Sequence, residues 1–383
     1  MAITVLGQPT TPNLTGTKLV YSISSSNATQ PQFQYVTDIY DGSTLLTRLL
    51  TYPNPTGNGI VEVSQILEDN LEYDNDWKTT GGTLSTSGFK QFTLAFSESF
   101  GTSISSSVTI TAGGASDTIE AFLGTVDPNQ GSFNYLPTAS FHLLSNQVEG
   151  FIAKDNRLTV PVFVPPFGVV GQKELTIEFV DSDNNVLFTN DTGNLPGATY
   201  EIYQYAIGSG STAFGNAFQT QDWEKINVYD SGSLTPSTVF NRVRPCADGQ
   251  VTFSFINKLG YYDYYSIPNP VRKVTDVERN IFDKPNVDYS SATSIYDITR
   301  RGEKQYNTGY TDRYQVTTEY VNKATADWLT ELFDSPNVYV QESGNFIPVI
   351  ITNTSYEWNM NENRQKLFQF TIEYRYANKR YDR

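Results

Sequence analysis

The chain has little of what most catalysts and metalloproteins use. Among its 383 residues is one cysteine, Cys246, which excludes an intrachain disulfide and a cysteine-built zinc site. It has one histidine, His142, so a Ser-His-Asp triad, a histidine-rich metal centre or imidazole acid–base chemistry would each depend on that single ring. Charged residues make up only 17 %, which leaves the surface largely to Ser, Thr, Asn, Gln and Gly. No apolar run reaches membrane-spanning length, and Met1-Ala2-Ile3-Thr4 lacks the basic and apolar regions of a secretory signal. The expectation is a protein made without a Sec-type signal and without membrane insertion.

What the chain does have is aromatic: 25 Tyr, 23 Phe and 4 Trp. That apolar load argues against disorder, and the length suits two or three domains. Charge is unevenly placed. Residues 1–240 hold 8 Lys/Arg against 23 Asp/Glu, and residues 241–383 hold 18 of each. The acidic part repels nucleic acid, so no nucleic-acid partner is expected. The neutral part is denser in charge, as expected where opposite charges meet across contacts.

Alternation of apolar and polar residues predicts strands along most of the chain. Examples are Leu19–Ile23, Phe33–Ile39 with Leu45–Leu50 returning after Asp41-Gly42, Phe92–Phe96 and Glu174–Val180 with Val186–Phe188. Helical spacing appears at Val63, Ile66, Leu67 and Leu71, with Ser64 a candidate cap. It appears again over Ala324–Phe333, with Thr325 a candidate cap. The reading is a mostly-β chain: a β-sandwich over 1–113, a second over 114–238, and a β-rich docking domain over 239–383 with one short helix. Residues 266–312 are charged and weakly periodic, contain Pro268, Pro270 and Pro285, and read as a long extended arm. A structureless stretch of that length in a compact domain is usually functional.

The motifs that suggest chemistry are weak. Asp181-Ser182-Asp183-Asn184-Asn185 opens like a calcium loop, but the EF-hand pattern needs Gly and Glu where Val186 and Thr192 stand, so a hairpin turn is the better reading. Asp69, Glu72, Asp74 and Asp76 read as a solvated acidic loop. Gly208-Ser209-Gly210-Ser211-Thr212 has no Lys-Ser/Thr after it and reads as a flexible loop. His142 lies in a strand-like segment, and Cys246 reads as a small buried side chain. No catalytic residue, metal ligand or cofactor is assigned, and the chain is expected not to be an enzyme. A glycosidase carboxylate pair is defined by geometry, which the sequence does not supply. Tyrosine-rich surface favours protein contact. Tyr261, Tyr262, Tyr264, Tyr265, Arg300, Arg301 and Tyr310 are therefore the candidate oligomer-contact residues.

Several segments carry a resemblance. Gln30-Pro31-Gln32-Phe33-Gln34-Tyr35-Val36-Thr37-Asp38-Ile39-Tyr40 is followed by Arg48-Leu49-Leu50, Tyr52-Pro53-Asn54-Pro55 and Gly59–Leu67. With the block Phe255–Tyr265, this resembles virion structural proteins of tailed bacteriophages, particularly phages of marine bacteria and Bacteroidetes. Trp328-Leu329, Ser335–Val340 and Ile347–Ile351 are similar to tail-tip and baseplate components. The resemblance implies a structural virion subunit in a tail, baseplate or neck. Its implied partners are other copies of itself in a ring or tube, other virion proteins and, in an alternative reading, a receptor or host-surface glycan. It carries over no active-site residue.

Overall fold

The computed structural model describes residues 3–10, 12–74, 82–111, 114–125, 142–166, 175–192, 199–230, 235–244, 249–284, 287–288, 295–296, 302–353 and 367–378. Strands account for 53 % of them and helices for 8 %, so the fold is mostly β, as expected. The chain divides into two compact units. The first comprises Met1–Gly150, Lys154–Arg242 and Ile256–Asp263, and the second Phe151–Ala153, Val243–Phe255 and Tyr264–Arg383.

The first unit begins with a sandwich-like pair of sheets. Three strands, Ile3–Gly7, Val20–Ser25 and Gly59–Glu62, form one sheet; Gln34–Asp41, Thr44–Thr51, Phe89–Phe100 and Ser116–Phe122 dominate the other. The period-2 pattern works as predicted. Tyr21, Ile23, Tyr35, Ile39, Phe92, Leu94 and Phe96 point inward into one buried cluster, with the Tyr21 and Phe96 rings 5.3 Å apart. Gly42, at φ 57°, makes the turn that a side chain would strain. The helix Ser64–Glu68 buries Leu67 in the same cluster. Its cap is Val63, and Ser64 stands inside the helix with its hydroxyl donating to Glu62.

Further along this unit, Leu175–Val180 pairs with Val186–Asp191 on one side and with Lys225–Asp230 on the other. Phe179, Phe218 and Trp223 form an aromatic knot with centroids 5.1–6.2 Å apart, and the buried Trp223 indole N–H donates to Phe218 O at 2.8 Å. Phe218 belongs to a helix, Gly215–Thr220, that the sequence pattern does not announce, because six residues are too few to show a period. A second sheet places Thr159–Val164 between His142–Leu143 and Glu201–Ala206, and Thr83–Leu84 pairs with the far edge of Glu201–Ala206.

The second unit is built on a seven-stranded sheet whose spatial order departs from sequence order. Across the sheet it runs Tyr262–Ile267, Val251–Ile256, Val338–Glu342, Asn345–Ile351, Thr371–Tyr376, Glu303–Thr317 and Arg272–Asp283. The helix Lys323–Asp334 buries Trp328, Leu329 and Leu332 among Phe253, Phe255, Phe370 and Ile372. Its cap is Asn322, which accepts from Thr325 N at 2.9 Å; Thr325 is the recipient of the cap, not the cap. To the extended arm read over 266–312 the structure adds strand pairing. Residues 272–283 and 303–317 are extended, but as two long antiparallel strands paired with each other.

Candidate assembly surface

Four of the seven candidate contact residues are in the interior of this single chain, which corrects the surface reading of the tyrosine block. Tyr261 is 4 % exposed and packs with Leu14, Phe122, Leu144, Phe163, Ile202 and Leu259. Its hydroxyl lies 3.4 Å from Ser85 Oγ, and burial pushes its pKa up. Tyr262 and Tyr264 are also buried. Tyr265 meets Phe151 and Trp328 edge-to-face, both at 5.9 Å. The physical reason lies in the residues just before the block. Asn257 Oδ1 accepts from Leu259 N and Tyr261 N, while its amide donates to Leu144 O at 2.9 Å. Gly260, at φ 85°, completes a tight turn that delivers the aromatics inward. Arg300 and Arg301 lie outside the described residues. Tyr310 is 38 % exposed.

Tyr310 belongs to the ribbon formed by Arg272–Asp283 and Glu303–Thr317. Only Tyr314–Thr317 of this ribbon also pairs with Thr371–Tyr376; among the described residues, no further strand pairs with the stretch from Val274↔Arg313 to Asp283↔Glu303. At a strand rise of about 3.3 Å per residue, that two-stranded stretch is roughly 30 Å long. Eleven of the twelve residues in Arg272–Asp283 are exposed, so both faces meet solvent in this chain.

Directly opposed residues share a face, which sorts the ribbon. One face carries Lys273, Thr275, Val277, Ile281, Tyr310, Asp312 and Tyr314. Lys273 pairs with Asp312 at 2.8 Å and sits 5.5 Å from the Tyr314 ring centroid; the bond to Asp312 raises the lysine pKa. The other face carries Val274, Asp276, Arg313 and Phe282, with Arg313 and Asp276 paired at 2.5 Å. The register slips between Asn280 and Ile281, which makes Tyr306 an extra residue on its strand. Tyr306 is 67 % exposed, and its ring centroid lies 6.1 Å from that of Phe282. The sequence reading missed Val274, Val277, Ile281, Phe282 and Tyr306. Both faces mix apolar and charged residues, so the alternation that reveals a half-buried strand is blurred.

Hydrogen bonds hold several of the remaining motifs in place. Asp181 Oδ1 accepts from Asp183 N and Asn185 N at 2.9 and 2.8 Å, making the predicted hairpin turn. The Asn185 amide also donates to this carboxylate, and together these bonds hold it below its usual range. Ser211 Oγ donates to Ala206 O and receives Phe214 N, so the Gly208–Thr212 loop is pinned. Asp74 accepts from the Gln204 amide at 2.9 Å, whereas Asp76 and Cys246 lie outside the described residues. His142 is paired with Phe163 in a strand. Asp69, Glu72, Thr86 and Lys90 line an open, polar concavity of about 470 Å³. Among the described residues no group of three His, Cys, Asp or Glu side chains is placed to hold a metal ion, and no helix is long and apolar enough to cross a membrane. No protein-family model matches the chain, and no curated protein matches it in sequence.

Proposed function

We propose that the chain is a non-enzymatic structural subunit of a tailed-bacteriophage virion, in the tail, baseplate or neck, and that it assembles with further copies of itself through the ribbon of Arg272–Asp283 and Glu303–Thr317. The observation that carries the assembly reading is the two-stranded stretch of that ribbon. A two-stranded ribbon is marginal in water by itself. This one also exposes Val274, Val277, Ile281, Phe282, Tyr306 and Tyr310. Exposed apolar surface of that extent on a thin element is typical of a surface that a partner covers.

A second copy fits the chemistry. The two strands hold five basic and five acidic residues, so the ribbon is neutral although the chain carries −15. A neutral arm with mixed charges approaches an acidic neighbour without net repulsion and places specific ion pairs at its rim. Head-to-tail docking of such an arm generates rings or tubes. The virion assignment itself rests on the segment resemblance.

The test shortens the ribbon, joining Thr275 to its cross-strand partner Asp312 through an Asn-Gly turn. The shortened chain is expected to melt like the full chain, yet to remain monomeric by mass photometry where the full chain associates, and to be missing from assembled particles. A full-length chain that stays monomeric at high concentration, or a shortened chain that enters particles normally, overturns the reading.

A further inference from the structure

The first unit has a second surface with a different chemistry. The sequence runs 19–37, 49–61 and 99–116 contain no charged residue, although residues 1–240 as a whole are strongly acidic. Folding brings the loops of these three runs to one end of the first sandwich. A Cβ added at Gly57 would stand 3.8 Å from Ala28 Cβ. Gly101 N donates to Pro31 O at 2.9 Å, and the Gln32 amide donates to Ile104 O. The loops around 26–33, 52–58 and 101–107 are therefore one contiguous patch.

The patch is held in shape before any ligand arrives. Asn54 Oδ1 accepts from Thr56 N, Thr56 Oγ1 and Asn58 N at 2.7–3.0 Å, between Pro53 and Pro55. The Tyr35 hydroxyl donates to Gly57 O at 2.6 Å. Ser103 N donates to Ser106 Oγ, and Ser106 N to Ser103 O. Beneath the loops, the buried Glu98 carboxylate accepts from Ser25 Oγ and the Asn27 amide at 2.5 and 2.6 Å. What faces solvent is uncharged: Thr29, Gln30, Gln32, Thr56 and Ser103, with the Tyr52 ring 71 % exposed and Ile104 85 % exposed. Rigid loops of Tyr, Ser, Thr, Asn and Gly give wide contact and adaptable hydrogen bonding at low entropic cost.

We propose that this loop end binds a neutral, hydroxyl-rich saccharide. An anionic ligand would be repelled by the acidic unit around the patch, and a cationic one finds no exposed carboxylate within it. Leu50, Ile60, Val108 and Ile110, which flank these loops, are exposed as well, so a protein is the competing occupant, and silence from every neutral sugar would favour it. A sugar ring offers C–H faces for Tyr52 and hydroxyl edges for the surrounding amides and hydroxyls. This proposal does not depend on the assembly reading, because it uses no residue of the ribbon.

The experiment is saturation-transfer NMR of the full chain with short gluco-, galacto- and manno-oligosaccharides, and with alginate as an anionic comparison. Binding of at least one neutral oligosaccharide is expected, unchanged by added salt. Tyr52→Ala should weaken it about tenfold, the loss of one stacking contact, and Ile104→Asp should weaken it as well. The ribbon variant Tyr306→Ala should leave it intact. Both patch positions are exposed, so melting temperature should not move. No response to any neutral sugar, binding that salt abolishes, or full binding by both patch variants would overturn the proposal.

Discussion

Asn257 and Gly260 show how few atoms decide the placement of the tyrosine block. A Cβ on Gly260 would lie 2.2 Å from Leu123 O, and its φ of 85° disfavours any side chain. Gly260→Ala should therefore cost more than about 3 kcal/mol in urea unfolding, because neither the backbone nor Leu123 can yield cheaply. Asn257→Ala should cost about 2 kcal/mol or more, since it strips buried bonds from Leu144 O and two backbone N–H groups. Asn257 and Gly260 are residue types that favour turns, and the structure makes Asn257-Lys258-Leu259-Gly260 one; the sequence holds that much of a hint. It does not show that the tyrosines after the turn face inward, since tyrosine suits a core with one hydroxyl partner as well as an interface.

At the scale of elements, hydrophobic period decides what is legible. Phe89–Phe100 buries alternate side chains and is readable as a strand; Gln34–Asp41 is readable from the alternation of its sequence, although Tyr35 to Ile39 are all buried; Lys323–Asp334 is readable as a helix from its apolar face. Asn322→Ala should remove its cap and lower stability by about 1 kcal/mol, checked by thermal melting. The ribbon is the opposite case. Arg272–Asp283 is exposed along almost its whole length and Glu303–Thr317 buries only Thr308 and Val316, so burial stamps no period on them, and a paired hairpin looks like a charged linker. If it docks as proposed, Val277→Lys with Tyr310→Glu, which keeps a complementary pair across the two strands, should abolish self-association measured by sedimentation while leaving the melting temperature within a few degrees.

For the whole molecule, buried phenols set a limit on alkaline stability. Burial pushes Tyr203 and Tyr205 up to about 12, and pushes Tyr21, Tyr261, Tyr374 and Tyr376 up further. A phenol whose folded pKa exceeds its unfolded value near 10 is protonated in both states below about that pH, so its contribution is intact there. Above it the unfolded chain releases protons that the folded chain keeps, and stability falls as pH rises toward and past about 12. Denaturant midpoints should hold steady through neutral pH and drop steeply above about pH 10, with tyrosinate absorbance rising together with loss of structure; phenols that ionise well before unfolding would contradict this. Composition and period by themselves determined the β class, the turns and the acidic-to-neutral gradient, because each depends on residues close in sequence. Which aromatics are buried, that the arm is a paired ribbon, and that three uncharged runs meet at one end were decided only by tertiary structure. Each of these depends on neighbours distant in sequence, and burial by such neighbours leaves no local signature.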